Sequence, residues 1–149
     1  MEVYNGLQWS EKVGGLFDSK GGGEMKHPED DLLMSCVLWF DYQYPLLKHK
    51  LHHSPNEGQR SRRRNSNGVY YSPEATRLKR KGCKAGFPDI FLYHPSKGFH
   101  GLAGEAKSKR GKLSEAQIGW LTQLSEDNYF TFEFRTLDEF IKIVTNYLR

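Results

Sequence analysis

Two carboxylates and one lysine in the second half of the sequence are placed to meet in the folded chain. Glu105 and Lys107 are separated by a single alanine, and Asp89 precedes them. The segment 101–108 is predicted to form a strand, so residues 105 and 107 point to the same face, because strand side chains alternate. An antiparallel pairing with the buried strand predicted at 89–93 brings Asp89 alongside them at a sheet edge.

These three side chains have the chemistry that phosphodiester hydrolysis requires. Two carboxylates suit a hard cation such as Mg²⁺ or Mn²⁺, which is held by one or two carboxylates, waters and the substrate phosphate. The ammonium of Lys107 could hold the attacking water or stabilise negative charge that builds on the phosphate. The pattern therefore predicts a metal-dependent site for phosphate chemistry.

The elements that must position this site follow from hydrophobic periodicity and capping signals. They are a helix opened by Pro28 and the acids after it, a strand at 46–53, a loop at 59–68, a short helix opened by Ser72-Pro73, strands at 89–93 and 101–108, a helix after Ser114, a strand at 130–134 and a helix after Thr136. Two segments, Ser114–Gln117 and Thr136–Glu139, have the form of capping boxes. This order predicts an α/β fold in which a mixed sheet is flanked by helices.

The positive charge is concentrated in the middle of the chain. Residues 60–112 carry fourteen lysines and arginines against three acids, and the remaining residues carry eight against fifteen. A stretch this basic favours a polyanionic partner such as nucleic acid, with a solvated charged face as the alternative. No apolar run approaches the length of a membrane span, so no membrane association is expected.

The segments around the three residues resemble one nuclease family. Pro88-Asp89 followed by Glu105-Ala106-Lys107 matches the PD-(D/E)xK nuclease pattern, which by itself is weak. The order of the surrounding segments is more specific; these are 51–58 (LHHSPNEG), 84–89 (KAGFPD), 104–107 (GEAK) and 111–117 (GKLSEAQ). Together they resemble the virus-type replication–repair nuclease domain, VRR-NUC, over residues 29–149. The resemblance implies a restriction-endonuclease-like core.

The resemblance also implies roles for individual residues. Asp89 and Glu105 would bind Mg²⁺ or Mn²⁺ together with the main-chain carbonyl of Ala106, and Glu29 of the first helix would complete the site. Lys107 and Gln117 would be catalytic together with Asp89 and Glu105. Relatives act in DNA repair, recombination and phage replication, and we expect the free-standing phage type, located in the (host) cytoplasm.

The sequence allows two roles for several residues. Gln117 either only caps its helix or also contacts the site. Asn56, in a motif segment, is a candidate for lining the substrate groove. The arginines of the loop are either solvated or grip phosphates, and the basic residues after the catalytic strand are the stronger phosphate candidates. These two groups are Arg60, Arg62, Arg63 and Arg64, and Lys109, Arg110 and Lys112.

Two other functions compete with a nuclease of this family. An HNH-type site would use His52, His53 and Asn56, but it needs a further histidine on a following helix, and residues 72–82 contain none. An alternating strand also puts the two histidines on opposite faces. The other alternative is a non-catalytic DNA-binding module that uses only the basic surface of residues 60–112. Structure selectivity for branched, flap or junction DNA is expected over sequence selectivity, and junction cutting would favour a homodimer.

The first residues of the chain are predicted to lie outside the folded domain. Glycines at 14–15 and 21–23 interrupt a polar segment without sustained periodicity. Residues 1–28 are therefore predicted to be a partly flexible extension, and residues 29–149 to form the nuclease-like domain.

Overall fold

In the computed structural model, which describes residues 28–54 and 63–149, the first helix, α1, spans Pro28–Gln43. Proline is favourable at the first helical position, and the three acids that follow it meet the positive end of the helix dipole. The helix stops before Tyr44, because the residue that precedes Pro45 disfavours helical backbone. The predicted extension lies outside the described residues except for Pro28, which belongs to α1.

The remaining elements confirm the predicted order, with an additional short hairpin in the segment predicted as a loop. They are β1 (Leu51–His53), β2 (Arg63–Arg64), β3 (Tyr70–Tyr71), α2 (Pro73–Arg80), β4 (Ile90–Leu92), β5 (Leu102–Ala106), α3 (Glu115–Glu126), β6 (Phe130–Phe134) and α4 (Leu137–Leu148). One sheet has the strand order β1-β4-β5-β6, with β5 and β6 parallel and the other neighbours antiparallel. The described part of the chain is thus an α/β domain with a mixed sheet, as predicted.

Helices cover both faces of this sheet. The main core joins α1 and α4 to one face, where Trp39, Phe40 and Phe140 are fully buried together with Ile90 and Phe134. On the opposite face, α3 packs over a smaller cluster of Phe91, Ala103 and Leu124. Because side chains alternate, the odd-numbered residues of β4 and β5 point toward α3. Within the described residues, no helix is long and apolar enough to cross a membrane.

The strand predicted at 46–53 is shorter than expected. Lys48–Lys50 form a 3₁₀ helix, and only Leu51–His53 are extended. The partner strand β4 offers three residues for pairing, and the preceding backbone is held by local turn bonds, Leu47 N–H to Tyr44 and Lys50 N–H to Leu47, both 2.8 Å. The prediction was wrong here because tight local hydrogen bonds replace those of a ladder that has no partner strand.

The arginine-rich segment, residues 59–68, is predicted as a loop, but part of it is a strand of a hairpin. Arg63 and Arg64 pair with Tyr71 and Tyr70 in a short hairpin, while residues 59–62 lie outside the described part. The turn is closed by the side chain of Asn65, whose Oδ1 accepts the N–H groups of Asn67 and Val69. A side-chain acceptor of this kind stabilises a turn, and hydrophobic periodicity does not predict such a turn.

One of the two predicted capping boxes is complete and the other is not. Ser114 and Gln117 exchange both hydrogen bonds at the start of α3. At α4 the hydroxyl of Thr136 accepts the N–H of Glu139, but the Glu139 carboxylate accepts the N–H of Arg135, at 2.6 Å, rather than that of the cap residue. Thr136 therefore caps α4 without a reciprocal bond.

Candidate active site

The carboxylates of Asp89 and Glu105 meet at one end of the β4–β5 pair, on the face of the sheet that α3 covers. Ile90 pairs with Gly104 in antiparallel strands, so Asp89, which precedes β4, stands opposite Glu105, which follows Gly104. Oδ2 of Asp89 accepts the N–H of Ala106 at 3.0 Å, which fixes the side chain across the strand pair. The backbone register therefore aims both carboxylates at the same space.

Two donors converge on one oxygen of Glu105. Nζ of Lys107 lies 2.9 Å from Oε1, and Nε2 of Gln117 donates a hydrogen bond to the same atom. The other oxygen of Glu105, Oε2, is buried and has no hydrogen-bond partner within the described chain. Gln117 also accepts the N–H of Ser114 at 2.9 Å, so its amide caps α3 with one atom and reaches the carboxylate with the other. The two interpretations of this residue hold together.

Glu29 connects the first helix to the segment that follows Lys107. Its Oε1 accepts the N–H of Ser108 at 2.8 Å, across 79 residues of sequence. Arg135 holds the same segment from the other side, donating from Nη1 to the carbonyls of Ser108 and Gly111 at 2.9 and 3.1 Å. Sequence reasoning missed Arg135, which had only the pattern of a charged residue after a strand.

These groups surround a cavity of about 370 Å³ between the N-terminal ends of α1 and α3. It is lined by Glu29, Asp30, Leu33, His53, Ala85, Gly86, Phe87, Asp89, Glu105, Lys107, Ser114, Ala116 and Gln117. The free N–H groups and the dipole of a helix N-terminus favour negative charge, and here two such ends face one cavity. Because four carboxylates and one lysine line the cavity, it suits a cation and, beside that cation, an anionic group.

Gly86 allows the end of α3 to come this close. Its φ is +77°, and a Cβ at this position would lie 2.7 Å from the carbonyl carbon of Ala116 and 2.8 Å from the nitrogen of Gln117. Only glycine combines the left-handed backbone with the missing side chain. The adjacent carbonyl of Ala85 accepts the Nε1–H of Trp120 at 3.1 Å, which holds the two segments together.

His53 lines the cavity, although no pattern in the sequence predicts this position for it. Its Nδ1 lies 2.8 Å from the main-chain oxygen of Asp89, and a carbonyl can only accept, so Nδ1 carries the proton. The N–H of Ser54 donates to the same oxygen at 2.9 Å. The two bonds fix the main chain that carries the Asp89 carboxylate.

The protonation of the two carboxylates depends on their burial and on each other. Burial, and secondarily the negative charge of Asp89, raise the pKa of Glu105 to about 7, although Lys107 acts in the opposite direction. Burial likewise raises the pKa of Asp89, against the hydrogen bond from Ala106 and the charge of Lys107. Perturbation of this kind is typical of functional carboxylates.

This carboxylate pair fits a divalent cation. A cation between the two carboxylates would relieve their repulsion, and the unpartnered Oε2 of Glu105 would coordinate it. Among residues 28–54 and 63–149, no group of three or more histidine, cysteine, aspartate or glutamate side chains is arranged to hold a metal. A hard cation held by two carboxylates completes its shell with waters and substrate oxygens. Ala106, between Glu105 and Lys107 in the chain, is fully buried. Its main-chain carbonyl and the Glu29 carboxylate remain predicted ligands of the cation.

The predicted nucleic-acid residues fall in three places. Lys109, Arg110 and Lys112 are exposed on the segment beyond Lys107. Arg64 is exposed on the β2–β3 hairpin, whose backbone also includes Arg63. Asn56, Arg60 and Arg62 lie outside the described residues.

Comparison with known proteins points to one family. The model of the VRR-NUC domain family matches residues 28–135, which is more than half of the chain. A solved structure described as a VRR_NUC domain protein superposes with a TM-score of 0.64 at 25% sequence identity, covering 81% of this chain and 88% of the other. The curated proteins contain no match.

Proposed function

The chain belongs to the VRR-NUC domain family of nucleases, and we propose that it is a metal-dependent enzyme that hydrolyses phosphodiester bonds in DNA. The observation that carries this proposal is the convergence of Asp89, Glu105, Lys107 and Gln117 on one cavity. The buried Oε2 of Glu105 has no hydrogen-bond partner within the described residues, and a bound cation would supply one.

Asp89 and Glu105 would hold the cation, Mg²⁺ or Mn²⁺, with the Ala106 carbonyl and Glu29 as further predicted ligands. When bound, it would supply Lewis-acid stabilisation of phosphate charge and a water of lowered pKa. Lys107 places its ammonium beside Glu105, where it can stabilise charge on the scissile phosphate or orient the attacking water. Gln117 orients the Glu105 carboxylate through its amide.

The exposed basic residues support DNA as the substrate. Lys109, Arg110 and Lys112 follow the catalytic lysine directly, and phosphate contacts position a backbone without reading its sequence. The arginines of residues 60–64 would extend this contact. We extend the proposal to structure-selective cleavage of branched, flap or junction DNA, in phage or repair-type DNA metabolism, with a homodimer if junctions are cut symmetrically.

A cleavage assay on linear and branched DNA with Mg²⁺ or Mn²⁺ tests the proposal. Glu105→Gln keeps an acceptor for Lys107 and Gln117 but removes the charge, so cleavage should fall by at least about 100-fold. Glu126→Gln, at the far end of α3 and exposed, is the matched control and should cleave normally. A wild-type protein that binds DNA but never cuts it with either metal would instead be the non-catalytic binding module.

A further inference from the structure

The β2–β3 hairpin presents aromatic rings to solvent. Tyr70 and Tyr71 are 66% and 44% exposed, and the neighbouring Val69 is 58% exposed. The two tyrosines are adjacent in one strand, so their side chains point to opposite sides of the hairpin. Large rings left uncovered on a short, two-stranded ribbon are a candidate contact surface rather than part of a core.

An arginine is fixed against one of these rings. Arg64 pairs with Tyr70 across the hairpin, and its guanidinium carbon lies 5.8 Å from the ring centroid. Its Nε–H donates to the carbonyl of Gly68 at 3.1 Å, which leaves the other guanidinium donors for solvent or a phosphate. The hairpin therefore presents a held cation and an exposed ring side by side.

The residues that follow the hairpin are strongly basic. Helix α2 has no buried residue, carries Arg77, Lys79 and Arg80 in its last turn, and has a single acid, Glu74. Exposed Lys81 and Lys84 follow, and Lys84 directly precedes Ala85 in the wall of the active-site cavity. Along the sequence, exposed positive charge thus continues from the hairpin to the wall of the cavity, and it is complementary to a nucleic-acid backbone.

We propose that the hairpin binds an unpaired stretch of the DNA substrate, with a base stacked on Tyr70 and a phosphate on Arg64. This inference rests on the proposed nuclease function and adds the strand type that the enzyme grips. Base pairs inside a duplex are already stacked on each other and cannot reach a protruding ring, whereas the bases of a single strand can. The enzyme would then select DNA that has a single-stranded segment next to the scissile bond.

Binding of two DNA forms tests this inference. All proteins carry Glu105→Gln to prevent cleavage, and the probes are a single-stranded oligonucleotide containing 2-aminopurine and a blunt duplex of the same sequence. Tyr70→Leu should weaken single-strand binding by about fivefold or more and remove the 2-aminopurine quenching that stacking causes. Its effect on the duplex should be much smaller, and Tyr70→Phe, which keeps the ring, should behave like the parent.

Tyr42→Leu is the matched control, an exposed tyrosine on α1, and should leave both affinities unchanged. Unchanged single-strand affinity and quenching in Tyr70→Leu would overturn the inference while the nuclease proposal stands. Equal losses on both DNA forms would also overturn it, because stacking is specific to unpaired bases. If the parent binds neither DNA form, the proposed function itself fails.

Discussion

The side-chain amide of Gln117 joins the N-terminus of α3 to Glu105, since one end accepts the N–H of Ser114 and the other donates to Oε1 of the carboxylate. A capping residue normally serves its own helix alone. Here the cap also fixes the orientation of a buried acid, so the position of α3 and the geometry of the site are coupled.

Gln117→Glu should separate the two roles. Glutamate can close a capping box as glutamine does, but it has no N–H to donate to Glu105. Loss of a hydrogen bond to a charged group corresponds to about 10- to 100-fold in turnover. Stability at pH 5, where Glu105 is largely protonated, should stay close to wild type. Gln117→Ala also loses the bond that the side chain accepts from the Ser114 N–H, while the cap made by Ser114 remains, and it should cost about 1 kcal/mol. Wild-type turnover in Gln117→Glu would reduce the residue to a helix cap.

Lys107→Met should slow the chemical step without removing the metal. Methionine fills a similar volume but cannot stabilise charge on a phosphate, so single-turnover cleavage should fall by about 100- to 1,000-fold. Isothermal titration with Mn²⁺ should still detect binding, because the carboxylates remain. Lost metal affinity would show instead that the lysine is a structural partner of Glu105.

Gly86→Ala should be strongly destabilising. The left-handed backbone and the contact with α3 each oppose a side chain, and together they should cost about 2–4 kcal/mol in the free energy of unfolding. Two controls separate the causes. Gly98→Ala shares the positive φ but has open space around it, so it should cost about 1 kcal/mol. Gly119→Ala, in α3 with open space and no positive φ, should stabilise by a few tenths to about 1 kcal/mol.

The metal-free protein should lose stability as pH rises from about 4.5 toward 7. The folded state holds the Glu105 proton up to a pKa of about 7, whereas the unfolded chain releases it near the ordinary glutamate pKa of 4.5. The native state thus binds more protons in this window, and the free energy of unfolding falls with pH. Urea unfolding in EDTA should show this slope, and Glu105→Gln should reduce it. Metal affinity should change in the opposite direction and rise through pH 7, because the cation competes with the proton. A slope that is the same in both proteins would contradict the assignment to Glu105.

Replacing Lys109, Arg110 and Lys112 by alanine should make DNA binding less dependent on salt. Each phosphate contact releases counterions and contributes about 0.9 to the slope of log affinity against log salt on duplex DNA. Loss of three contacts should flatten the slope by up to about 2.7, with little effect on turnover at saturation. The matched variant Lys142→Ala, exposed on α4, should leave the slope unchanged. Equal slopes for all three proteins would leave the arginine-rich segment as the main backbone contact.

Local features of the sequence were sufficient to predict most of the elements. Proline and acids start α1, Ser114 and Thr136 cap their helices, and alternation places residues 105 and 107 on one face. These signals act over a few residues, so they can be seen without a fold. The strand predicted at 46–53 was too long, because the length of a strand depends on how many residues its partner has for pairing, and β4 has three.

Only the tertiary structure decided which side chains meet. The bond of Glu29 to Ser108 spans 79 residues, that of His53 to Asp89 spans 36, and that of Arg135 to Ser108 spans 27. Such contacts leave no periodic or local pattern, because each depends on how two distant elements pack. The residue types at the site could therefore be read from the sequence, whereas their mutual support, including the second role of Gln117, arises from the register of β4 with β5 and the close approach of α3 at Gly86.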